Sequence, residues 1–272
     1  MTKTASTSSK GAIDLLEQAV HLLRGAPASL YCAYAIGVLP FLLAFLYFWA
    51  DMSRGAFARE HAGAAAFAIA LLYLWMKCWQ SVFAAGLRAC WTGHKPAPWT
   101  ISRIGGMALA QIVIQPSALF AVPAALVVAL PFVWVFGFYQ NVTVTGGEFG
   151  GLAALCKRAT RQASLQQGQA HLLAAILLFF GLFLWLNIVT AMAITPGLLK
   201  TLLGIDTALS RAGVTSLLNT TFLASSFALA YLCLDPLIKA VYVLRCFYGE
   251  SLTSGEDLQV EFALAVATEN QK

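Results

Sequence analysis

Three charged side chains interrupt the apolar runs of this sequence: Lys77, Asp235 and Lys239. A charge at membrane depth is costly, so such a residue usually has a partner or a function. Lys239 follows Asp235 by four residues, which places both on one face of a helix where they can pair. Charges of this kind fix helix register, relay a proton or an ion, or hold a charged ligand.

Lys77 and Asp235 are predicted to lie at similar depths on different helices. Lys77 precedes Arg88 by about 16 Å of helix, and Asp235 precedes Arg245 by about 15 Å. We therefore expect them to form a buried ion pair or to share a polar pocket, although two groups that never meet remain an alternative. The candidate intramembrane polar site has five members, which are Lys77, Asp235, Lys239, Gln111 and Gln115.

Two further features bear on these charges. Pro236 cannot donate a hydrogen bond to the carbonyl of Leu232, so the helix can kink beside Asp235. Lys239 is near enough to the end of its apolar run to reach the membrane interface instead of Asp235. The glutamines within the spans, and Asn187, are more typical of hydrogen bonds between helices than of binding sites.

The composition defines the elements that must position these residues. The chain has 272 residues, of which 60% are hydrophobic and 11% are charged, whereas a soluble domain has about 25% charged residues. This predicts an all-α, polytopic integral membrane protein that forms a single membrane domain over residues 1–272. The net charge of +5 is scattered along the chain, which argues against a nucleic-acid partner.

Catalytic and metal-binding motifs are missing from the sequence. HExxH, GxSxG and GxxxxGK[ST] do not occur, and the four histidines have no carboxylates at metal-ligand spacing. The six cysteines form no CxxC pair, which is typical of small apolar filler residues. We therefore expect no enzymatic activity, no cofactor and no metal.

Apolar runs predict about six transmembrane helices. The run from Gly105 to Tyr139 would be roughly 50 Å long as one helix, while the hydrocarbon layer is about 30 Å thick. It is either one long broken helix or two spans with a turn between Pro116 and Pro123. The predicted spans are 28–50, 63–86, 104–120, 122–143, 170–194 and 220–244.

The distribution of Lys and Arg favours six spans over five. Six spans with both termini in the cytoplasm place eleven basic residues inside and four outside, whereas five spans give eight against seven. Cytoplasmic loops are normally the more basic ones. This predicts a multi-pass protein of the cytoplasmic (inner) membrane. The eleven residues are Lys3, Lys10, Arg24, Arg88, Lys95, Arg103, Lys157, Arg158, Arg161, Arg245 and Lys272.

Two amphipathic segments, 11–25 and 150–168, are predicted to be interfacial helices. In the first, an apolar stripe recurs at helical spacing, and it either lies on the membrane or packs on its own bundle. The stripe consists of Ile13, Leu16, Val20 and Leu23. The tail 249–272 is acidic, and its pattern fits a helix capped near Ser254 as well as a strand.

Three segments carry a resemblance to a known family. They are the opening helix 12–19, the proline-bearing run 130–142 with the helix that follows it, and Asp235-Pro236-Leu237 with the acidic stretch 254–258. In these segments the chain resembles bacterial six-span membrane proteins related to the glycerophosphoryl diester phosphodiesterase membrane domain. The resemblance implies a six-span fold with interfacial helices and no catalysis, because the catalytic barrel of that family is a separate domain.

The sequence therefore predicts a non-catalytic scaffold or accessory subunit of a cytoplasmic-membrane complex. Its expected partners are the lipid bilayer and either another membrane protein or a second copy of the chain. The alternative is a small transporter or permease component that uses the candidate polar site, and an intramembrane lipid enzyme is a third choice. A transporter needs its charges around a water-reachable cavity, whereas a scaffold needs them dry and paired.

Overall fold

The computed structural model describes residues 10–93, 98–128, 132–148, 150–206, 219–255 and 258. Regular structure in this part of the chain is helical throughout. The helices are α1 (Ala12–Gly25), α2 (Ala28–Arg54), α3 (Ala58–Thr92), α4 (Ile101–Val128), α5 (Phe132–Thr145), a 3-10 turn (Gly146–Glu148), α6 (Leu152–Ser164), α7 (Gln167–Leu203) and α8 (Thr220–Ser254).

Five of these helices, α2, α3, α4, α7 and α8, are long and apolar enough to cross a membrane. An α-helix satisfies its own backbone hydrogen bonds, which is why an apolar run adopts it in lipid. The all-α polytopic membrane class predicted from composition is therefore supported. The predicted span 122–143 is not found at this length among the described residues, because α5 has only 14 residues, or about 21 Å.

The helices α2 and α3 form a tightly packed hairpin. A Cβ atom at Gly37 would clash with Trp79, and one at Gly86 would clash with Leu30. Glycine at these two positions lets the helix backbones approach closely. The observed helices also extend the predicted spans 28–50 and 63–86 by whole turns.

The region 104–143 is divided differently from the prediction. The helix α4 continues through Pro116 and Pro123, so the turn expected between them is wrong. Each proline removes one backbone hydrogen bond, and in an apolar environment no competing partner exists to unwind the rest of the helix. The helix α4 ends at Val128 instead, and α5 begins at Phe132.

The helix α5 runs antiparallel to α4. Ser117 Oγ lies 2.7 Å from Tyr139 Oη, and Arg103 Nε donates to the Gly147 carbonyl at 2.5 Å. The early part of α4 thus lies beside the end of α5. The α4–α5 hairpin therefore returns the chain to the end of the bundle where α4 begins.

The last two long helices also exceed their predicted lengths. The helix α7 passes through Pro196 and ends at Leu203, so it continues nine residues beyond the end of the predicted span 170–194. The helix α8 continues through Pro236 and ends at Ser254, capped by Gly255 with a φ of 68°. Residues 249–254 of the predicted tail thus belong to α8, and the helix-or-strand prediction for the remainder falls almost wholly outside the described residues.

The short helices α1 and α6 lie at one end of the bundle, termed the α1/α6 end. Lys10 Nζ donates to Tyr248 Oη at 2.9 Å, which fixes α1 against the last part of α8. Asn141 Nδ2 donates to the Ala159 carbonyl at 3.2 Å, which fixes α6 against α5. The other end of the bundle is tied by Arg54 Nη2, which donates to Asn219 Oδ1 at 3.0 Å.

The stripe of α1 was expected either on the membrane or on the bundle, and the structure places it between the two, because a neighbouring face makes the closest bundle contacts. Its buried residues are Ala12, Leu15, Ala19 and Leu22. Ile13, at the start of the predicted stripe, is exposed, and the other three members are only half-buried. Alanines at 12 and 19 allow a close helix contact that a stripe of large apolar residues does not. The predicted stripe remains partly available to lipid.

Candidate functional site

A buried ion pair lies near the middle of the bundle. Asp235 Oδ1 and Lys239 Nζ are 3.1 Å apart, and the two side chains are 3% and 0% exposed. The other carboxylate oxygen, Asp235 Oδ2, accepts hydrogen bonds from Tyr34 Oη at 3.0 Å and from Gln80 Nε2 at 2.8 Å. Lys239 Nζ also donates to Gln140 Oε1 at 2.7 Å. These five residues are termed the central charge cluster.

Four helices build the central charge cluster. Asp235 and Lys239 come from α8, Tyr34 from α2, Gln80 from α3 and Gln140 from α5. A buried charge pair is tolerated when its remaining hydrogen-bonding capacity is also satisfied. The carboxylate has three donors here and the ammonium has two acceptors, so each charge is partnered within the bundle, while the buried Oε1 atom of Gln80 has no partner among the described residues.

Lys77 lies outside this cluster and lines a cavity. It is close enough to Asp235 and Lys239 to interact with their charges, but among the described residues no carboxylate lies within 4.0 Å of its ammonium. Its nearest aromatic contact is the Tyr73 ring, whose centroid is 5.4 Å from Nζ. The direct ion pair expected between Lys77 and Asp235 is thus replaced by the pair of Asp235 with Lys239.

The cavity has a volume of about 610 Å³ and lies between α2, α3 and α8. Its walls are apolar apart from Lys77, Thr220 and the hydroxyls of Tyr73 and Tyr231. The lining residues are Phe41, Leu42, Phe45, Trp49, Tyr73, Met76, Lys77, Thr220, Leu223, Ala224, Phe227, Ala228 and Tyr231.

The two glutamines of the predicted polar site lie elsewhere. Gln111 Nε2 donates to Ser81 Oγ at 3.2 Å, and Gln115 Nε2 donates to Thr143 Oγ1 at 3.0 Å. Both are contacts between helices, α4 with α3 and α4 with α5. The structure therefore groups Asp235 with Lys239, places Lys77 beside them on a cavity, and assigns Gln111 and Gln115 to helix packing.

A second group of charges lies at the α1/α6 end and forms a ring of four ion pairs. Arg88 contacts Glu250 at 2.8 Å and Glu148 at 3.3 Å. Arg158 contacts Glu250 at 2.6 Å and Glu148 at 2.8 Å. The ring joins α3, the 3-10 turn, α6 and α8, and its four residues are termed the end cluster.

The ion pairs of the end cluster favour the charged form of Arg158. Burial alone would lower the pKa of the Arg158 guanidinium, but the hydrogen bonds and charges of Glu250 and Glu148 outweigh that effect. The pKa of Arg158 therefore lies above its ordinary value. Two guanidinium groups against two carboxylates leave the ring electrically balanced.

Sequence reasoning missed several of these partners. Tyr34 and Gln140 are separated from their partners on α8 by 201 and 99 residues, and nothing in the local pattern marks them. Tyr231 could have been found, because it precedes Asp235 by one helical turn. Its hydroxyl accepts from Gln80 Nε2 at 2.6 Å and so extends the cluster to the cavity wall.

No protein-family model, curated protein or solved structure matches the chain. The resemblance to the glycerophosphoryl diester phosphodiesterase membrane domain therefore stays a prediction. The geometry of the site offers one buried ion pair and one ammonium beside an apolar cavity.

Proposed function

We propose that this chain is a non-catalytic scaffold or accessory subunit of a complex in the cytoplasmic membrane. The observation that supports this is the pairing of opposite charges within the central charge cluster. Asp235 and Lys239 are buried, paired with each other and bonded to three other side chains. A relay residue must exchange partners with water or a substrate, whereas the partners of both charges here are side chains of the bundle.

The continuity of α8 supports the same proposal. Transporters commonly bind their ions where helices are broken near the middle of the membrane. The helix α8 remains helical through Pro236, directly beside the charged pair. The kink that Pro236 was expected to introduce therefore creates no break in the helix that could serve as an ion site.

We also propose that the α1/α6 end faces the cytoplasm, together with both termini. Among the described residues that end carries eight Lys and Arg side chains, against three at the opposite end. Cytoplasmic surfaces are normally the more basic. On this topology the α4–α5 hairpin enters from the cytoplasm and returns to it. The eight residues are Lys10, Arg24, Arg88, Arg103, Lys157, Arg158, Arg161 and Arg245.

Contact surfaces for a partner are proposed on α1 and α6. Both helices are held firmly on the bundle and still expose charged outer faces, with Glu17 on α1 and Arg161 on α6. A photo-crosslinking residue at either position, in intact cells, should yield adducts of defined mass. The same residue at the exposed Phe183 of α7 is the matched control and should yield none.

Water accessibility distinguishes the scaffold from the transporter. In a variant that lacks the six native cysteines, Asp235→Cys combined with Lys239→Met removes both charges of the pair together, so neither is left without the other. A membrane-impermeant maleimide should leave Cys at this position unmodified, and should label a Ser53→Cys control at the exposed end of α2. Labelling of position 235 at the control rate would refute the scaffold proposal.

The position of Lys77 on the cavity is the observation that favours the alternative, a small transporter component. Transport would require that the cavity connect to water on each side in turn. Proteoliposomes that contain the wild-type chain should then show a flux that Lys77→Met abolishes. If no such flux occurs and adducts form at α1 and α6, the scaffold assignment stands.

A further inference from the structure

The arrangement of charge around the cavity between α2, α3 and α8 is unequal. Two ammonium groups, Lys77 and Lys239, lie near one carboxylate, Asp235. Asp235 is fully engaged by Lys239, Tyr34 and Gln80. One positive charge is therefore left at the cavity wall without an anion among the described residues.

An ammonium in apolar surroundings is costly unless an anion accompanies it. The Tyr73 ring offsets part of that cost through a cation–π contact. The Lys77 ammonium has three donor hydrogens, and its side chain is one of those that line the cavity. A negatively charged group in the cavity would complete its partners.

The shape of the cavity determines what such a group can be attached to. Lys77 and Tyr231 lie at the deep end, whereas Trp49 and Thr220 lie at the end away from α1 and α6. From Tyr231 to Thr220 the wall of α8 extends for about 16 Å. Trp49 and Phe227 are exposed at the rim, so the cavity opens on the apolar outer surface of the bundle.

We propose that this cavity binds a single-chain amphiphile with one carboxylate, that is, a free fatty acid. The carboxylate lies on Lys77, and the hydrocarbon chain lies along Phe41, Phe45, Leu223 and Phe227 towards the rim. The volume of about 610 Å³ is within the range of small-molecule sites. A single ammonium balances a single negative charge, which favours a carboxylate over a phosphate monoester.

A two-chain phospholipid fits the cavity poorly. Its polar headgroup prefers the membrane surface, whereas the positive charge lies at the deep end of an apolar wall. A phospholipid could place only an acyl chain in the cavity, and such binding would be insensitive to the charge of Lys77. Charge dependence therefore separates the fatty acid from ordinary membrane lipid.

The test is a binding titration of the full-length protein in a neutral detergent, followed by native mass spectrometry. Palmitic acid is the probe, and hexadecanol is the matched uncharged probe. We expect one palmitate per wild-type chain. Hexadecanol should bind at least about tenfold more weakly, because a charge-assisted hydrogen bond is lost.

Variants of the cavity wall make the test specific. Lys77→Met should weaken palmitate binding about tenfold or more and leave hexadecanol binding unchanged, whereas Lys77→Arg should retain palmitate. Ala224→Trp fills the cavity and leaves Lys77 in place, so it should abolish binding of both probes. The matched control is Ala191→Trp, at an exposed position of α7 away from the cavity.

Three results would overturn the proposal. They are equal affinity of the wild-type chain for both probes, unchanged palmitate binding in Lys77→Met, and unchanged binding in Ala224→Trp. If Lys77→Met fails to fold, the affinities of the wild type and of Ala224→Trp for palmitic acid and hexadecanol still test the proposal. None of these outcomes depends on whether the protein is a scaffold.

Discussion

The end cluster and the central charge cluster use the same chemistry with different outcomes. At the α1/α6 end, two arginines and two glutamates close a balanced ring that is partly exposed. In the middle of the bundle, one carboxylate is shared between a partner lysine and two neutral donors, and a second lysine is left over. Charges that balance each other stabilise the packing of helices, whereas a charge in excess leaves a site that an ionic ligand can occupy.

The largest expected loss of stability comes from breaking the buried pair of Asp235 and Lys239. Lys239→Met leaves Asp235 buried without its cation, which should lower the free energy of unfolding by about 3–5 kcal/mol. The decrease is measured by thermal unfolding in detergent. Lys239→Met combined with Asp235→Asn is the matched control, and it should recover most of the loss because no charge remains unpaired. A double variant no more stable than the single one would contradict the pairing.

A substitution at Glu250, the more buried carboxylate of the end cluster, should destabilise the protein less than Lys239→Met does. Glu250 is 19% exposed and contacts both arginines. Glu250→Gln should lower the free energy of unfolding by about 1–2 kcal/mol, because two charge-assisted hydrogen bonds are weakened near solvent. Chemical denaturation in detergent measures this loss. A cost as large as that of Lys239→Met would show that the two clusters do not differ in kind.

Substitution of Lys77 should stabilise the protein, whereas substitution of Lys239 should destabilise it. Lys77→Met removes a charge that has no anionic partner among the described residues, so it should raise the free energy of unfolding of the ligand-free protein by about 1 kcal/mol. Thermal unfolding of delipidated protein measures the change. A destabilisation of several kcal/mol would indicate instead that Lys77 is a paired member of the central charge cluster.

The smallest loss of stability is expected for a substitution at Glu148, the more exposed carboxylate of the end cluster. Glu148 is 41% exposed, so Glu148→Gln should cost less than about 1 kcal/mol. Screening of exposed charges by salt should make the difference vanish in high salt. Denaturation at low and high salt checks this, with Glu250→Gln as the comparison that retains more of its effect.

Part of this arrangement could be predicted from local patterns. Long apolar runs identified the membrane class, and the four-residue spacing identified Asp235 and Lys239 as a pair. These features depend on neighbours within one helix, which sequence records directly. The turn predicted between Pro116 and Pro123 failed because proline ends a helix less readily in apolar surroundings than in water.

The rest depends on how helices meet, which no single run of residues specifies. Matching depth placed Lys77 opposite Asp235, and the helices do bring the two near each other. The carboxylate, however, is engaged by Lys239, Tyr34 and Gln80. Depth along a helix can be counted from the sequence. The rotation of each helix about its axis, which determines which side chains contact each other, cannot.

The length of α7 has a consequence for the membrane around the protein. From Leu172 to Leu199 it carries 28 residues, or about 42 Å of helix, while the hydrocarbon layer is about 30 Å thick. A tilt of about 40°, near the upper limit, would reduce its reach to about 32 Å, and a kink at Pro196 or local thickening of the bilayer would have the same effect. The thickness of the bilayer therefore acts on the inclination of α7 together with its packing against α8. Trp185 of α7 stacks on Phe227 at 4.7 Å, so hydrophobic mismatch at α7 acts directly on that residue at the rim of the cavity.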